Sequence, residues 1–574
     1  MASDIISLKD VTFSYKGSKR RALDGITLNV KQGECVAILG PTGAGKSTLA
    51  CVMNGTAPRF MDGSLAGDVT VDGLVPAKVG TAQMASRVGL VFGDPDTQLF
   101  GMTVEEDVAF GPANLGLGYE SIMERVGKSI GDMRLAGLER RAPHRLSGGQ
   151  KQATAIAGVY AMLPKIMVLD EPTSMLDPEG KARVFGIVRM LKEQLGVTVV
   201  LIEQEVDDIL TLADRVFVMR SGKFVLSGTP REVFGRVEEL RQAGVRVPQI
   251  VEFGTLIGAA ETPFTIEEAI SAAPASASVN EAATPAAAPR ASRAAQADPV
   301  VEAVDVEFTY PGGARALDGV NLAVGCGDFV AIVGQNGAGK TTLTRHFNGL
   351  LRPSSGDIRV LGRSTQGVPT IELCRHVGYV FQNPDEQLFC TSVQEELRFG
   401  PTNIGVDPHV TSQRVEEILG DIGLTKYREV WPKYLTKGER QRLALASVVA
   451  MDPDVLIVDE PTTGLDWVES LQILDYLERL RKEQKKTIII ITHDMNIVSL
   501  YAKRVVVMAR GRVVGDGTAR EIFSQPDLME LACLRRPPIA DLSQALWGEV
   551  LLTPAEAAAR LLAAKSQAAG VCSE

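Results

Sequence analysis

Five hundred and seventy-four residues exceed one domain; at roughly 100–200 residues per domain the length implies about three to five. The chain is 45% hydrophobic and 23% charged, apolar enough to bury sizeable cores, which excludes wholesale disorder. A net charge of −10 argues against coating nucleic acid, and seven scattered cysteines without a CxxC pair argue against a zinc knuckle, an iron–sulfur cluster or a disulfide framework, leaving the reduced thiols of a cytosolic protein.

No apolar run approaches the ~18–20 residues a membrane span needs; the longest, Val197–Ile202 and Thr487–Thr492, have strand length. Asp4 and Lys9 interrupt what would be the apolar stretch of a signal peptide. The expectation is a soluble chain that reaches a membrane, if at all, through partners.

The chain repeats itself. Phe13-Ser14-Tyr15 returns as Phe308-Thr309-Tyr310, GPTGAGKST (40–48) as GQNGAGKTT (334–342) and FGDPDTQLF (92–100) as FQNPDEQLF (381–389). LSGGQ (146–150) returns as LTKGE (435–439), and VLDEPTSMLD (168–177) as IVDEPTTGLD (457–466). The offset is 294 at Lys46/Lys340 and 289 from Gly67/Gly356 onward, so the first copy carries five extra residues, around Thr56–Ser64. The tails repeat too: Val247-Pro248 with Thr265–Ala269 resembles Pro537-Pro538 with Thr553–Ala557. Residues 271–299 hold thirteen alanines and four prolines, a linker composition. The expected domains are 1–270, the linker 271–299, and 300–574.

Within each copy, continuous apolar runs such as Val36–Leu39, Val168–Leu169 and Val197–Ile202 suit strands of a parallel sheet covered on both faces. Strand, glycine loop and helix follow in that order at 36–53 and at 330–347. Gly40-Pro41-Thr42-Gly43-Ala44-Gly45-Lys46-Ser47-Thr48 and Gly334-Gln335-Asn336-Gly337-Ala338-Gly339-Lys340-Thr341-Thr342 both fit G-x-x-x-x-G-K-[ST]. The glycines let backbone N–H groups curl around phosphate, and the helix N-terminus adds its positive end. Lys46 and Lys340 would reach the β/γ phosphates, with the Ser47 and Thr341 hydroxyls on Mg²⁺. A single match could be a chance glycine turn; two at equivalent places remove that reading. Asp170-Glu171 and Asp459-Glu460 close apolar runs, at the strand end where ligands sit in open α/β sheets. There the aspartate suits Mg²⁺ and the glutamate can polarise a water.

With LSGGQ added, nearly all of both copies resembles the ATP-binding cassette ATPases. The resemblance implies an α/β fold: two P-loop NTPase cassettes, each with a RecA-like parallel-sheet core, an antiparallel β subdomain and a helical signature subdomain. It implies that the cassettes pair head to tail within the one chain, each of two ATP lying between the phosphate loop of one and the signature of the other. The signature residues are Ser147, Gly148, Gly149 and Gln150, and Thr436, Lys437, Gly438 and Glu439. Tyr15 and Tyr310 match the aromatic that stacks on adenine, although each could instead be a core tyrosine. Gln382 matches the Mg²⁺-sensing glutamine, His493 the switch histidine, and Ser174–Asp177 and Thr463–Asp466 the loop that couples the sites. Expected metal ligands are Ser47, Asp170, Thr341, Gln382 and Asp459; expected catalytic groups are Glu171, Gln204, Glu460 and His493.

FQNPDEQLF followed by SVQEELRFGPTNIG, and FGDPDTQLF followed by TVEEDVAFGPANLG, look like the energy-coupling-factor importers of vitamins and transition metals. That resemblance implies ATP-driven import through a polytopic membrane coupling protein and a separate substrate-binding membrane subunit, at the cytoplasmic face of the membrane and without nucleic acid. Glu105, Glu106, Asp107, Glu395 and Glu396 would suit basic coupling helices of that partner. A ribosome-acting tandem factor would carry a long, charged linker, a DNA-repair cassette protein would need zinc cysteines, and an exporter ATPase differs only in its membrane partner. The first copy departs from the pattern with Gly93 for the sensing glutamine and Gln204 for the histidine, and the second with LTKGE for the signature. Head-to-tail pairing would put all three departures on one nucleotide.

Overall fold

The computed structural model describes residues 4–18, 20–273 and 299–571, the last eight by backbone alone. They form two compact units, Met1–Val251 (with Asp466–Val468) and Glu252–Leu465 with Glu469–Glu574. Most of the expected linker, 274–298, lies outside the described residues.

In the first unit, β1 (Asp4–Tyr15), β2 (Leu23–Lys31) and β4 (Gly63–Val71) make an antiparallel sheet in the order β2-β1-β4. The main sheet comprises β3 (Cys35–Leu39), β5 (Val88–Val91), β6 (Ile166–Asp170), β7 (Thr198–Ile202), β8 (Arg215–Arg220) and β9 (Lys223–Gly228), ordered β5-β6-β7-β3-β8-β9. All neighbours are parallel except the β8–β9 pair. Helix α1 (Lys46–Asn54) follows β3 through the glycine loop. Helices α2 (Val104–Asn114), α3 (Tyr119–Asp132) and α4 (Gly148–Tyr160) lie in chain between β5 and β6, and α5 (Pro178–Glu193) between β6 and β7.

The second unit repeats the plan. Its antiparallel sheet runs β11-β10-β13-β14, with β10 (Val301–Thr309), β11 (Arg315–Val324), β13 (Ser355–Val360) and β14 (Arg363–Ser364). Its main sheet runs β15-β16-β17-β12-β18-β19, with β12 (Phe329–Val333), β15 (Val377–Val380), β16 (Val455–Asp459), β17 (Thr487–Ile491), β18 (Arg504–Ala509) and β19 (Arg512–Gly517). The matching helices are α6 (Lys340–Phe347), α7 (Val393–Asn403), α8 (Pro408–Asp421), α9 (Lys437–Val449) and α10 (Trp467–Gln484). Helix Ile266–Ala272 packs on Pro538–Trp547 in this unit. The repeated tails share a cap: the Glu268 N–H bonds Thr265, as the Glu556 N–H bonds Thr553.

The central strands are apolar throughout because each serves two cores. Ile488 and Ile490 of β17 enter the cluster under the helices, while Ile489 and Ile491 enter the one under the antiparallel sheet. Phe329 and Ala331 alternate with Val330 and Ile332 in the same way on β12, as a side-chain period of two requires. Each such isoleucine contributes roughly 1.5–3 kcal/mol of burial. The extra residues of the first copy lie after α1 and lengthen β4, which pairs out to Tyr15↔Gly63, whereas β13 begins at Ser355 opposite Glu307.

The start of each glycine loop is fixed by close approach. A Cβ on Gly40 would stand 2.2 Å from the Met219 carbonyl oxygen of β8, and one on Gly334 would stand 2.2 Å from that of Met508 on β18. Their φ values are +147° and +148°. By contrast a Cβ on Gly43 meets nothing within 4 Å, although its φ of +73° still favours glycine. Gly40→Ala and Gly334→Ala should therefore each cost more than about 2 kcal/mol in urea unfolding, and Gly43→Ala nearer 1 kcal/mol; equal losses at the three positions would refute this account.

Candidate functional site

In each unit the loop after the central strand closes on its own lysine. Lys46 Nζ donates to the carbonyls of Gly40 at 2.7 Å and Pro41 at 3.1 Å, and Lys340 Nζ donates to Gly334 at 2.8 Å and Gln335 at 3.1 Å. Both lysines are buried. The turn is held by Ala44 N–H to the Pro41 carbonyl and Ala338 N–H to that of Gln335, each 3.1 Å. Left-handed Gly45 and Gly339 lead into the helices at φ +107° and +101°. Thr42, Gly43, Asn336 and Gly337 lie in the same loops.

Beside these loops, β6 and β16 end at Asp170 and Asp459, and the glutamates that follow adopt left-handed φ, +50° at Glu171 and +47° at Glu460. The turn is enforced by their N–H groups, which donate to the Ile202 and Ile491 carbonyls of the neighbouring strand at 2.9 Å. Strained non-glycine residues of this kind persist where a site over-determines them.

The two carboxylate pairs have different surroundings. Asp459 Oδ2 accepts from Thr341 Oγ1 and from the Tyr379 hydroxyl, both at 2.9 Å. Burial raises the Asp459 carboxyl above the usual range, against those two bonds. Position 90, the counterpart of Tyr379, is leucine, and Asp170 Oδ1 is buried with no hydrogen-bond partner among the described residues. Burial pushes Asp170 up to about 6, against the pull of the Ser47 hydroxyl. An orphaned buried carboxylate oxygen next to a serine hydroxyl fits a divalent cation such as Mg²⁺.

Glu460 Oε1 lies 2.9 Å from His493 Nδ1, and Glu171 Oε1 accepts from Gln204 Nε2 at 2.9 Å and pairs with Lys46 Nζ at 3.4 Å. Gln204 thus takes the histidine's place against the glutamate. Gln382, two residues past β15, is exposed. Its counterpart Gly93 has no room for a side chain: a Cβ there would stand 2.7 Å from the Glu171 carbonyl oxygen.

Tyr15 and Tyr310 are not core residues; 38% and 37% of their surface is exposed. Their hydroxyls bond Thr48 at 2.9 Å and Thr342 at 3.1 Å at the start of α1 and α6, which presents the rings beside the glycine loops.

The signatures are helix N-termini. Ser147 caps α4 with Gln150 reaching back, and Thr436 caps α9 with Glu439 doing the same, so LTKGE keeps the reciprocal cap of LSGGQ. Gly149 and Gly438 are close-approach positions: a Cβ would meet Gly180 Cα at 2.7 Å and the Glu469 carboxylate at 2.1 Å. At Gly148 and Lys437 the copies trade size. The Lys437 side chain occupies the space over Gly464, 2.0 Å from where a Cβ would stand; position 175, the counterpart of Gly464, is methionine, and a Cβ on Gly148 would meet the Leu176 side chain at 3.2 Å.

The acidic residues proposed to receive a basic partner are partly committed elsewhere. Asp107 and Glu396 are buried, and each accepts two backbone N–H bonds, from Phe100 and Gly101 and from Phe389 and Cys390. Glu106 closes a capping box with Thr103. Beside the exposed Glu106 and Glu395, these segments present aromatic rings. Phe100 packs edge-on to Phe110 at 4.3 Å and Phe389 to Phe399 at 4.7 Å, all four at least 46% exposed. The phenylalanines of Q-L-F and F-G-P are visible in the sequence; their pairing is not.

The ABC transporter family profile matches residues 23–174 and 317–463, once in each unit. The chain belongs to that family. A protein of Caldanaerobacter subterraneus subsp. tengcongensis, provisionally named an ABC transporter ATP-binding protein, is 41% identical over 96% of this chain and 98% of its own length. A Methanosarcina mazei protein of the same provisional name is 39% identical over 94% and 93%. Among solved structures, CbiO1 of Clostridium perfringens, described as part of the ABC transporter complex CbiONQ, is 37% identical over 43% of this chain and 99% of its own, with a TM-score of 0.38. The two units are accordingly ABC-type cassettes, and the chain is a tandem ABC ATPase.

Asp170 supplies a pH test. Its folded value lies above the ordinary 3.8, so ionisation penalises the folded state; the penalty is absent below about pH 4 and complete above about pH 6. Asp170→Asn should stabilise the nucleotide-free protein at pH 7–8 by on the order of 2 kcal/mol, a gain that vanishes near pH 4, while weakening Mg²⁺-dependent ATP binding. Thermal unfolding across pH checks the sign, and a destabilised variant at pH 8 would refute it.

Proposed function

We propose that this chain is the ATP-hydrolysing subunit of an importer of the energy-coupling-factor type, working through a membrane coupling protein and a substrate-binding membrane subunit on a vitamin, a vitamin precursor or a transition metal ion. The observation that carries the reading is the N-P-D-x-Q and E-x-x-F-G-P-x-N pairing, present in FQNPDEQLF–SVQEELRFGPTNIG with its exposed Phe389–Phe399 pair and echoed in the first cassette by Phe100–Phe110. No helix among the described residues is long and apolar enough to cross a membrane, so the aromatic pairs are suited to receive a partner that does.

In this reading the loop N–H groups and Lys46 or Lys340 bind the phosphates of ATP, and Tyr15 or Tyr310 stacks on adenine. Ser47 with Asp170, and Thr341 with Asp459 and Gln382, hold Mg²⁺, which neutralises phosphate charge when bound. Glu460 orients the attacking water and draws its proton, and His493, 2.9 Å away, positions that carboxylate. The first cassette binds ATP but hydrolyses it poorly, because Gln204 stands where the second cassette has His493 and because Gly93 supplies no side chain. Under the head-to-tail pairing implied by the family, LTKGE serves that same nucleotide and Ser147 to Gln150 serve the other.

Glu460→Gln should lower steady-state phosphate release at least ~10²-fold in the assembled complex, whereas Glu171→Gln should leave most of it. Equal losses would overturn the asymmetry. Phe389→Ser with Phe399→Ser should weaken co-purification with the polytopic membrane partner while ATP binding and stability stay close to wild type, exposed substitutions usually costing within ~0.5 kcal/mol. Undiminished co-purification would count against docking through this segment.

A further inference from the structure

The first cassette carries a buried carboxylate that the second lacks. Glu203, 1% exposed, directly follows β7, where the second cassette has Thr492. Its Oε1 accepts from Thr173 N–H at 3.1 Å and from the Thr173 hydroxyl at 2.7 Å, and its Oε2 accepts from the Gln204 N–H at 3.1 Å. Thr173 lies two residues beyond Glu171, in the loop after β6. One carboxylate therefore ties the loop after β6 to the loop after β7. Gln204 then returns through its side chain to Glu171, whose Oε1 also faces Lys46. The circuit runs Thr173, Glu203, Gln204, Glu171 and back along the chain to Thr173.

In the second cassette the Thr492 hydroxyl accepts from Asp494 N–H, within its own loop. There the two loops meet through His493 and Glu460, and through the Glu460 N–H to Ile491 bond that the first cassette also has. A buried carboxylate can satisfy three donors at once; a hydroxyl of threonine cannot span the same gap.

We propose that Glu203 is a positioning residue that staples the Gln204 loop to the loop carrying Glu171, and so makes the first cassette a nucleotide-retaining site. This rests on the reading that both cassettes bind ATP. With the staple in place, Glu171 stays turned toward Lys46 as a structural acceptor instead of toward a water, and the two loops that must part around the phosphates move as one body. Both carboxylate oxygens are engaged, so neither loop can shift without breaking a bond to Glu203.

The test uses the full chain with Lys340→Ala, so that bound radiolabelled ATP reports the first cassette, and follows its release after a chase of unlabelled ATP. Glu203→Thr restores the residue of the second cassette and so suits the fold; Thr173→Val removes the hydroxyl bond at nearly constant shape and leaves the N–H bond of residue 173. Glu203→Thr should speed release about tenfold, the order expected when a buried acceptor of several hydrogen bonds is lost, Thr173→Val should speed it less, and the double variant should add little beyond the larger single effect. Glu203→Gln keeps an acceptor for Thr173 but turns a donor toward the Gln204 N–H, and should fall between. Intact binding with unchanged release in both single variants would overturn the proposal alone. A Lys340→Ala chain that retains no ATP would overturn the proposal and the reading beneath it together.

Discussion

A buried ammonium group is the condition on which each site is built. Lys46 and Lys340 are 5% and 7% exposed, and a cation withdrawn from water must be matched by dipoles or by negative charge. The loop supplies two carbonyls at hydrogen-bond distance, which fix the ammonium but do not neutralise it. The same curl of backbone that offers those carbonyls inward turns N–H groups outward, and the helix that follows begins there. Once Gly40 and Gly334 have brought the loop against β8 and β18, an anion-binding concavity results, and the carboxylates at the neighbouring strand ends are the groups left facing it.

Those carboxylates decide how alike the two sites are. The backbone is the same in both: aspartate at the strand end, glutamate at left-handed φ, its N–H on the carbonyl of the next strand. The partners differ. Asp459 has two hydroxyl donors where Asp170 has one. Glu460 has a histidine where Glu171 has an amide. An amide can only donate its hydrogen bond to Glu171, whereas an imidazole can also exchange a proton with Glu460. The difference in chemistry is thus carried by hydrogen-bond partners and not by any change of fold.

Much of this was legible in the sequence. The apolar runs of β3, β7, β12 and β17 announced a doubly covered sheet because every residue in them must face a core. The glycine loops and the Asp-Glu pairs announced the site because glycine spacing and strand-end acids are local features. What escaped was through-space. Tyr379 reaches Asp459 across eighty positions, Glu203 reaches Thr173 across thirty, and Lys437 fits over Gly464. Two of the acids of α2 and α7 differ from expectation for a related reason: charge was visible, but not that Asp107 and Glu396 would turn inward onto backbone N–H groups.

The places where the copies diverge follow from the cost of change. A strand residue serving two cores can be altered only at roughly 2–5 kcal/mol for a large-to-small substitution. The loops after β5, β6 and β7 carry no such burden. They hold Gly93, the Glu171–Met175 stretch and Glu203–Gln204, and their counterparts hold Gln382, Glu460–Gly464 and Thr492–His493. Where a signature does touch packed structure, the change comes paired: Lys437 lies over Gly464, and Gly148 goes with Met175 at the equivalent position. Two copies on one sheet plan can therefore keep their cores and their phosphate loops while the carboxylates beside those loops acquire different partners.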